Sequence, residues 1–187
     1  MSSGILSRRA FLGGAAATGA FVLGTRLVPV SVFSQSALAQ AEWEPGVYLA
    51  IHPDGLVRII AHRSEMGTGS RTSLPLVVAE ELDADWTRVK VVQAIGDKKY
   101  GSQNTDGSCS IRDFYEPMRV AGATARTMLE QAAAATWKVP VTEVAARNHA
   151  VVHASSGRSI GFGDLVATAR TLPVPAAAAL VYKKPEA

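Results

Sequence analysis

Between Leu56 and Leu82 the chain commits itself to one local shape: strand, tight glycine turn, helix. Leu56, Val57, Ile59, Ile60 and Ala61 make an apolar run of strand length, long enough to be buried in part on both faces. Gly67 and Gly69 then give the backbone access to positive φ and let another group approach closely. Ser70, Thr72 and Ser73 are capping residue types, and Pro75 suits the first turn of a helix. Leu74, Val77, Val78 and Leu82 recur at i, i+3, i+4 and i+8, which is one apolar helix face. A helix N-terminus carries free N–H groups and partial positive charge, so the turn is a place for an anion. Taken alone, a single Gly-x-Gly reads first as an ordinary turn.

The neighbouring segments complete a fold around this unit. Residues 47–51 predict a strand, and His52-Pro53-Asp54-Gly55 a hairpin turn into the strand at 56–62. Alternation over residues 88–95 predicts a third strand. A glycine-rich polar loop follows from Gly96 to about Asp113, longer than most connections in compact domains. Pro117 predicts the opening of a long alanine-rich helix to Trp137, with Met118, Ala125, Met128 and Leu129 in its apolar stripe. Residues 142–146 read as a short turn or helix capped by Thr142. Residues 149–153 read as a fourth short strand, with a brief return at Ser159 and Ile160. Gly163 and Asp164 begin a last helix, with Asp164 as its cap. The expectation is an α+β domain: a small mixed sheet of about four strands packed by two or three helices, behind an N-terminal signal segment. The domain spans residues 40–172, and the Pro- and Ala-rich residues 173–187 read as a linker to a C-terminal region beyond them.

Composition narrows the partners. The net charge of +3 comes from Arg8, Arg9 and Arg26, since residues 1–39 hold no acid and no other base. The remainder is neutral, which gives no footprint for nucleic acid. Cys109 is the only cysteine, so the chain forms no internal disulfide and holds no iron–sulfur cluster by its own cysteines alone. Ser7-Arg8-Arg9-Ala10-Phe11-Leu12 precedes a moderately apolar stretch, and Ala37-Leu38-Ala39 offers a signal-peptidase site. The uncharged stretch falls short of the roughly 20 residues a membrane span needs. Residues 1–39 therefore read as a twin-arginine signal cleaved after Ala39. That implies a periplasmic protein that meets the membrane only during export.

Few residues carry chemistry by themselves. His52, His62, His149 and His153 lack a metal-ligand spacing and read as surface or packing histidines. Glu80, Glu81, Asp83 and Asp85 read as a solvated helix end, and Cys109 has no recognisable base beside it. No catalytic residue and no metal ligand is assigned. The run Asp106-Gly107-Ser108-Cys109-Ser110 combines small residues with many N–H and hydroxyl donors. That composition suits either a phosphate or oxo group or an ordinary flexible loop.

In order along the chain, a set of motifs resembles one family. Ser64-Glu65-Met66-Gly67-Thr68-Gly69-Ser70-Arg71-Thr72-Ser73-Leu74-Pro75 leads to Ala79-Glu80-Glu81-Leu82-Asp83. Trp86 with Val89-Lys90-Val91 follows, then Tyr100-Gly101-Ser102-Gln103-Asn104-Thr105 and Gly107-Ser108-x-Ser110-Ile111-Arg112. Glu116-Pro117-Met118-Arg119, Ala121-Gly122-Ala123 and Trp137-x-Val139-Pro140 complete the set. It resembles the molybdopterin-binding subunits of the xanthine dehydrogenase and aldehyde oxidase family, in the isoquinoline 1-oxidoreductase beta-subunit branch. Where the family often carries Gln, this chain has Thr68. The resemblance implies a molybdenum–molybdopterin cofactor, in a dinucleotide form, held in part by Gly67, Thr68, Gly69, Gly107, Ser108 and Ser110. It implies oxidation of aldehydes or N-heteroaromatics, with a small iron–sulfur subunit and an electron acceptor such as a cytochrome as partners. The family's subunit is several times longer, and its glutamate base lies downstream of the region matched here. The rival expectation is an exported non-catalytic remnant or partner-docking domain that binds no cofactor.

Overall fold

The hairpin and the glycine unit set the architecture. In a computed structural model, which describes residues 42–184, strands β1 (Trp43–Gly46), β2 (Leu49–Ile51), β3 (Val57–Ala61) and β4 (Val89–Gln93) form one mixed sheet in that order. β1, β2 and β3 pair antiparallel, and β4 joins β3 in parallel with Ile59 opposite Val91. A parallel partner requires a crossover, and helix α1 (Ser70–Leu82) supplies it. The β2–β3 turn closes on its own polar groups: Gly55 N–H donates to the His52 carbonyl at 2.8 Å, and the Asp54 carboxylate accepts from Leu56 N–H at 2.8 Å.

Helix α2 (Cys109–Trp137) lies against α1, and β5 (Val144–Arg147), β6 (Ala150–His153) and β7 (Arg158–Gly161) form a second, antiparallel sheet. Helix α3 (Phe162–Ala169) follows β7. One core joins the sheets and helices through Leu49, Ile51, Ile59, Leu74, Leu82, Met118, Met128, Leu129, Phe162 and Leu165, all 1% exposed or less. Burying each such side chain contributes about 1.5–3 kcal/mol. Among the described residues no helix is long and apolar enough to cross a membrane. The expected signal at residues 1–39 lies outside the described residues.

The α+β expectation holds, with differences of detail. The strand candidates fall in two sheets. β1 carries Pro45 and an irregular register to β2, features a sheet edge tolerates but a strand pattern does not advertise. Residues 142–146, expected as a capped turn or helix, instead give a 3-10 turn at Val141–Glu143, without a side-chain cap, and then β5. α2 begins at Cys109 and runs through Pro117, which was expected to open it. Proline deprives the carbonyl four residues earlier of its donor. That carbonyl belongs to exposed Asp113, so water can serve it. Pro75 sits in α1 in the same way, with exposed Arg71 four residues before it. α3 starts at Phe162, so Asp164 lies in its first turn and is not the cap.

The sequence places Glu81 in a solvated helix end, whereas in the fold it is buried. Its carboxylate pairs with Arg126 at 3.1 Å and Arg119 at 3.3 Å, and accepts Lys183 N–H at 2.7 Å. Leu180 is buried, Arg126 also donates to the Val181 carbonyl, and Lys183 Nζ reaches Asp83 at 3.0 Å. The segment composed like a linker is thus strapped at residues 180–183 across α1 and α2.

Candidate cofactor-binding site

β3 delivers the chain to His62 and Arg63, both 1% exposed, before it surfaces at Ser64. In the exposed turn Gly67 and Gly69 have φ of 87° and 75°, where an L side chain is strained. A Cβ at either position would meet nothing of the described residues within 4 Å. Gly69 is the N-cap of α1, and none of Ser70, Thr72 or Ser73 caps it. The reason is Glu65. Its carboxylate accepts from Arg71 N–H and from Gly69 N–H, each at 3.0 Å. Those two bonds, the Arg71 bond first, hold its pKa below the usual carboxylate range. The N-terminus of α1 already holds an anion of this chain, so the place expected there for an outside anion is taken.

The vacant helix start is that of α2. The loop leading to it is tied to the first turn: Thr105 Oγ1 donates to the Ser64 carbonyl at 3.0 Å, and Gln103 Nε2 donates to the His62 carbonyl at 3.2 Å. Ser108, at φ 57°, is the N-cap of α2, and no side chain caps that helix. Cys109 N–H donates to the Asp106 carbonyl at 3.0 Å, and among the described residues no side chain takes the N–H groups that follow it. Thr68 and Ser70 face Thr105, Gly107, Ser108 and Ser110 across a cavity of about 410 Å³. Ile111 and Asp106 complete the wall, and Asp106 is its one acid. Five hydroxyls and a helix N-terminus thus meet in one place.

Arg63 lies behind that wall. Its Nε donates to Ser110 Oγ at 3.2 Å, one terminal nitrogen to the carbonyl and hydroxyl of Ser102, and the other to Cys109 Sγ at 2.7 Å. The guanidinium sits over the Phe114 ring, 4.9 Å from its centroid. Among the described residues it forms no ion pair with a carboxylate.

Four of the six expected residues, Thr68, Gly107, Ser108 and Ser110, therefore converge on one cavity. Gly67 and Gly69 shape the turn beside it without lining it. Ser70, read in the sequence as a cap, and Thr105 join the lining, and Arg63 supports it. Arg63 sits just before the first motif, so only its position at the end of an apolar strand marked it. A second cavity of about 390 Å³ on the outer face of the sheet is floored by Leu49, Ala50 and Ile60. Its arginine, Arg58, is already paired with Glu42 and Glu44.

The histidines pack. His149 Nδ1 accepts from Asp85 N–H at 3.2 Å, so Nε2 carries the proton and donates to the Gly55 carbonyl at 2.7 Å. Burial holds its pKa below the ordinary value. His153 bonds Ser156 Oγ at 2.7 Å and Glu143 at 3.0 Å. His62 packs between Tyr48 and Phe114 with the rings tilted, and among the described residues neither ring nitrogen has a hydrogen-bond partner. Among the described residues no three His, Cys, Asp or Glu side chains converge as metal ligands.

The profile of the molybdopterin cofactor-binding domain matches residues 8–187. The chain belongs to that family. It is 40% identical over 171 residues to the isoquinoline 1-oxidoreductase subunit beta of Brevundimonas diminuta, a match covering 87% of this chain and 22% of the relative. It is 32% identical over 166 residues to a membrane-bound aldehyde dehydrogenase of Gluconacetobacter polyoxogenes, whose name specifies pyrroloquinoline quinone; 87% of this chain and 21% of that protein are covered. In fold it resembles quinoline 2-oxidoreductase from Pseudomonas putida 86, with a TM-score of 0.54, 18% identity, and 69% and 17% of the two chains covered. The chain spans about a fifth of the length of the curated relatives it matches.

The residues of this family member fit the polar, anionic part of such a cofactor. Of the five hydroxyls lining the cavity, those of Thr68, Ser70 and Thr105 donate within the chain, which leaves the Ser108 and Ser110 O–H groups and the start of α2 facing it; a buried cation stands behind, and a Cβ at Gly107 would meet nothing of the described residues within 4 Å. No titratable base lines the cavity apart from the Asp106 carboxylate.

Proposed function

We propose that this chain is the N-terminal portion of the molybdopterin-binding subunit of a molybdenum hydroxylase that oxidises aldehydes or N-heteroaromatics. The observation that carries the proposal is the convergence of Thr68 and Ser70 with Thr105, Gly107, Ser108 and Ser110 on one cavity at the uncapped start of α2. The named activities of the relatives support the substrate class. When bound, the cofactor supplies two-electron oxidation of the substrate carbon. This chain supplies the seat: the Ser108 and Ser110 hydroxyls and α2 amides bind the anionic part, the Gly67–Gly69 turn leaves room above it, and Asp106 disfavours excess negative charge at the rim.

The cofactor is a dinucleotide form, completed by sequence beyond residue 187. Electrons leave through a small iron–sulfur subunit to an acceptor such as a cytochrome, in line with the single cysteine here. Residues 1–39 serve as a twin-arginine signal that places the protein in the periplasm. Residues 40–172 form the binding domain, and 173–187 lead to the rest of the subunit.

The test is the molybdenum content of the complete subunit after Gly67→Trp, Gly69→Trp and Ser108→Trp. We expect each variant to lose most of its molybdenum, on the order of tenfold, as blocked ligand seats do. Normal molybdenum content in all three contradicts the proposal.

A further inference from the structure

The cavity is built from a long polar loop, and such loops are ordinarily mobile. This one closes around Arg63. Burying a guanidinium is costly unless its charge and its donors are served. Arg63 is 1% exposed and has no carboxylate partner among the described residues, so its burial is spent on other contacts. These are the carbonyl and hydroxyl of Ser102, the hydroxyl of Ser110 and the thiol of Cys109. They span the cavity loop from its start to the first turn of α2. The planar fork of arginine presents donors in fixed directions, so one side chain sets the spacing of three residues at once. Lysine, with one mobile ammonium on a flexible stem, cannot hold the same three groups together. Phe114, one turn along α2, lies under the guanidinium and keeps water from its face.

We propose that Arg63 is the positioning residue of this cavity: its fork holds residues 102–110 in the shape that brings Thr105, Gly107, Ser108 and Ser110 onto Thr68 and Ser70, before any ligand arrives. The inference rests on the reading of the cavity as the cofactor's seat. It adds that the seat is preorganised from behind, by a side chain that does not line it, and preorganisation lowers the ordering cost of binding.

The experiment measures amide hydrogen exchange and retained molybdenum in the complete subunit, prepared with and without cofactor. It compares Arg63→Gln, Arg63→Lys and, as a block of the seat that leaves Arg63 in place, Ser108→Trp. In the cofactor-free Arg63 variants the amides of 102–110 exchange faster by at least roughly tenfold, as loss of several hydrogen bonds requires. Amides of β3 and α1 stay as protected as in the native protein. Arg63→Lys behaves like Arg63→Gln within about twofold, because it keeps the charge and loses the fork. Both variants retain less molybdenum than the native subunit. Unchanged exchange of 102–110 in Arg63→Gln overturns the proposal. So does faster exchange throughout the domain, which marks Arg63 as a support of the whole fold. Native molybdenum content in Ser108→Trp overturns the cofactor reading instead, and the exchange data then still decide whether Arg63 holds the loop. If Arg63→Gln fails to accumulate, Ser110→Ala removes one arm of the contact, and a rise confined to 102–110 supports the proposal while none overturns it.

Discussion

His62 and Arg63 sit side by side in the interior with opposite electrostatic fates. Arg63 spends its donors on hydrogen bonds, whereas His62 is held neutral. Burial between Tyr48 and Phe114, and then the charge of Arg63, lower the His62 pKa to about 4. Its folded value lies below the unfolded one of about 6.5, so the unfolded chain binds the proton more readily. Above pH 6.5 the residue costs nothing by this route, and stability falls as the pH drops from 6.5 towards 4. The loss over that window is about 3 kcal/mol. His62→Phe keeps the ring contacts and removes the titration, so urea unfolding of the variant shows a flatter dependence between pH 6.5 and 4. An unchanged slope contradicts this assignment. The sequence marks His62 as a surface or packing histidine, which agrees with its burial, but not the fork of Arg63. The dipeptide ends a strand, and only the packing of α2 beneath it, through Phe114 and Cys109, decides that one is an orphan and the other a fork.

At the scale of elements, strong periodicity was readable. The β2–β3 hairpin, the body of α1, β4 and most of α2 follow from apolar spacing and turn residues. β5 escaped because Val144-Ala145-Ala146-Arg147 alternates in burial with small side chains that barely mark the period. The first turns of α2 escaped because Pro117 looked like a start. The lining was legible from composition where small donor residues cluster, at Gly107, Ser108 and Ser110, and at Thr68 only through the resemblance to the family motif. It was illegible where tertiary contact alone makes the site, at Arg63. The α1–α2 contact depends on Gly122: a Cβ there would stand 2.6 Å from the Val78 carbonyl oxygen and 2.8 Å from Glu81 Cβ. Gly122→Ala therefore forces the helices apart and destabilises by about 2–3 kcal/mol, within the usual range for overpacking. Thermal unfolding reads this directly, and a variant as stable as the native protein would show that the two helices adjust freely.

For the molecule as a whole, the buried Glu81 cluster joins α1, α2 and residues 180–183, so the exit of the chain from the domain has a fixed direction. Glu81→Ala leaves Arg126 buried without its carboxylate and frees the Lys183 backbone. We expect a loss of about 3 kcal/mol, the low end for breaking a buried ion pair, because Arg126 keeps its bonds to the Glu81 and Val181 carbonyls. Early proteolysis near Val181 accompanies it, and a variant with native stability and native cleavage would refute the clamp. The domain carries the cavity between two loops, 64–70 and 102–111. The central claim is that these two loops seat a molybdenum cofactor. Amide hydrogen exchange of the complete subunit with and without its cofactor tests it most directly. Protection gained on loading within this domain is expected to concentrate at residues 67–70 and 105–111. Loading that protects other parts of the subunit and leaves these two loops unchanged would contradict it.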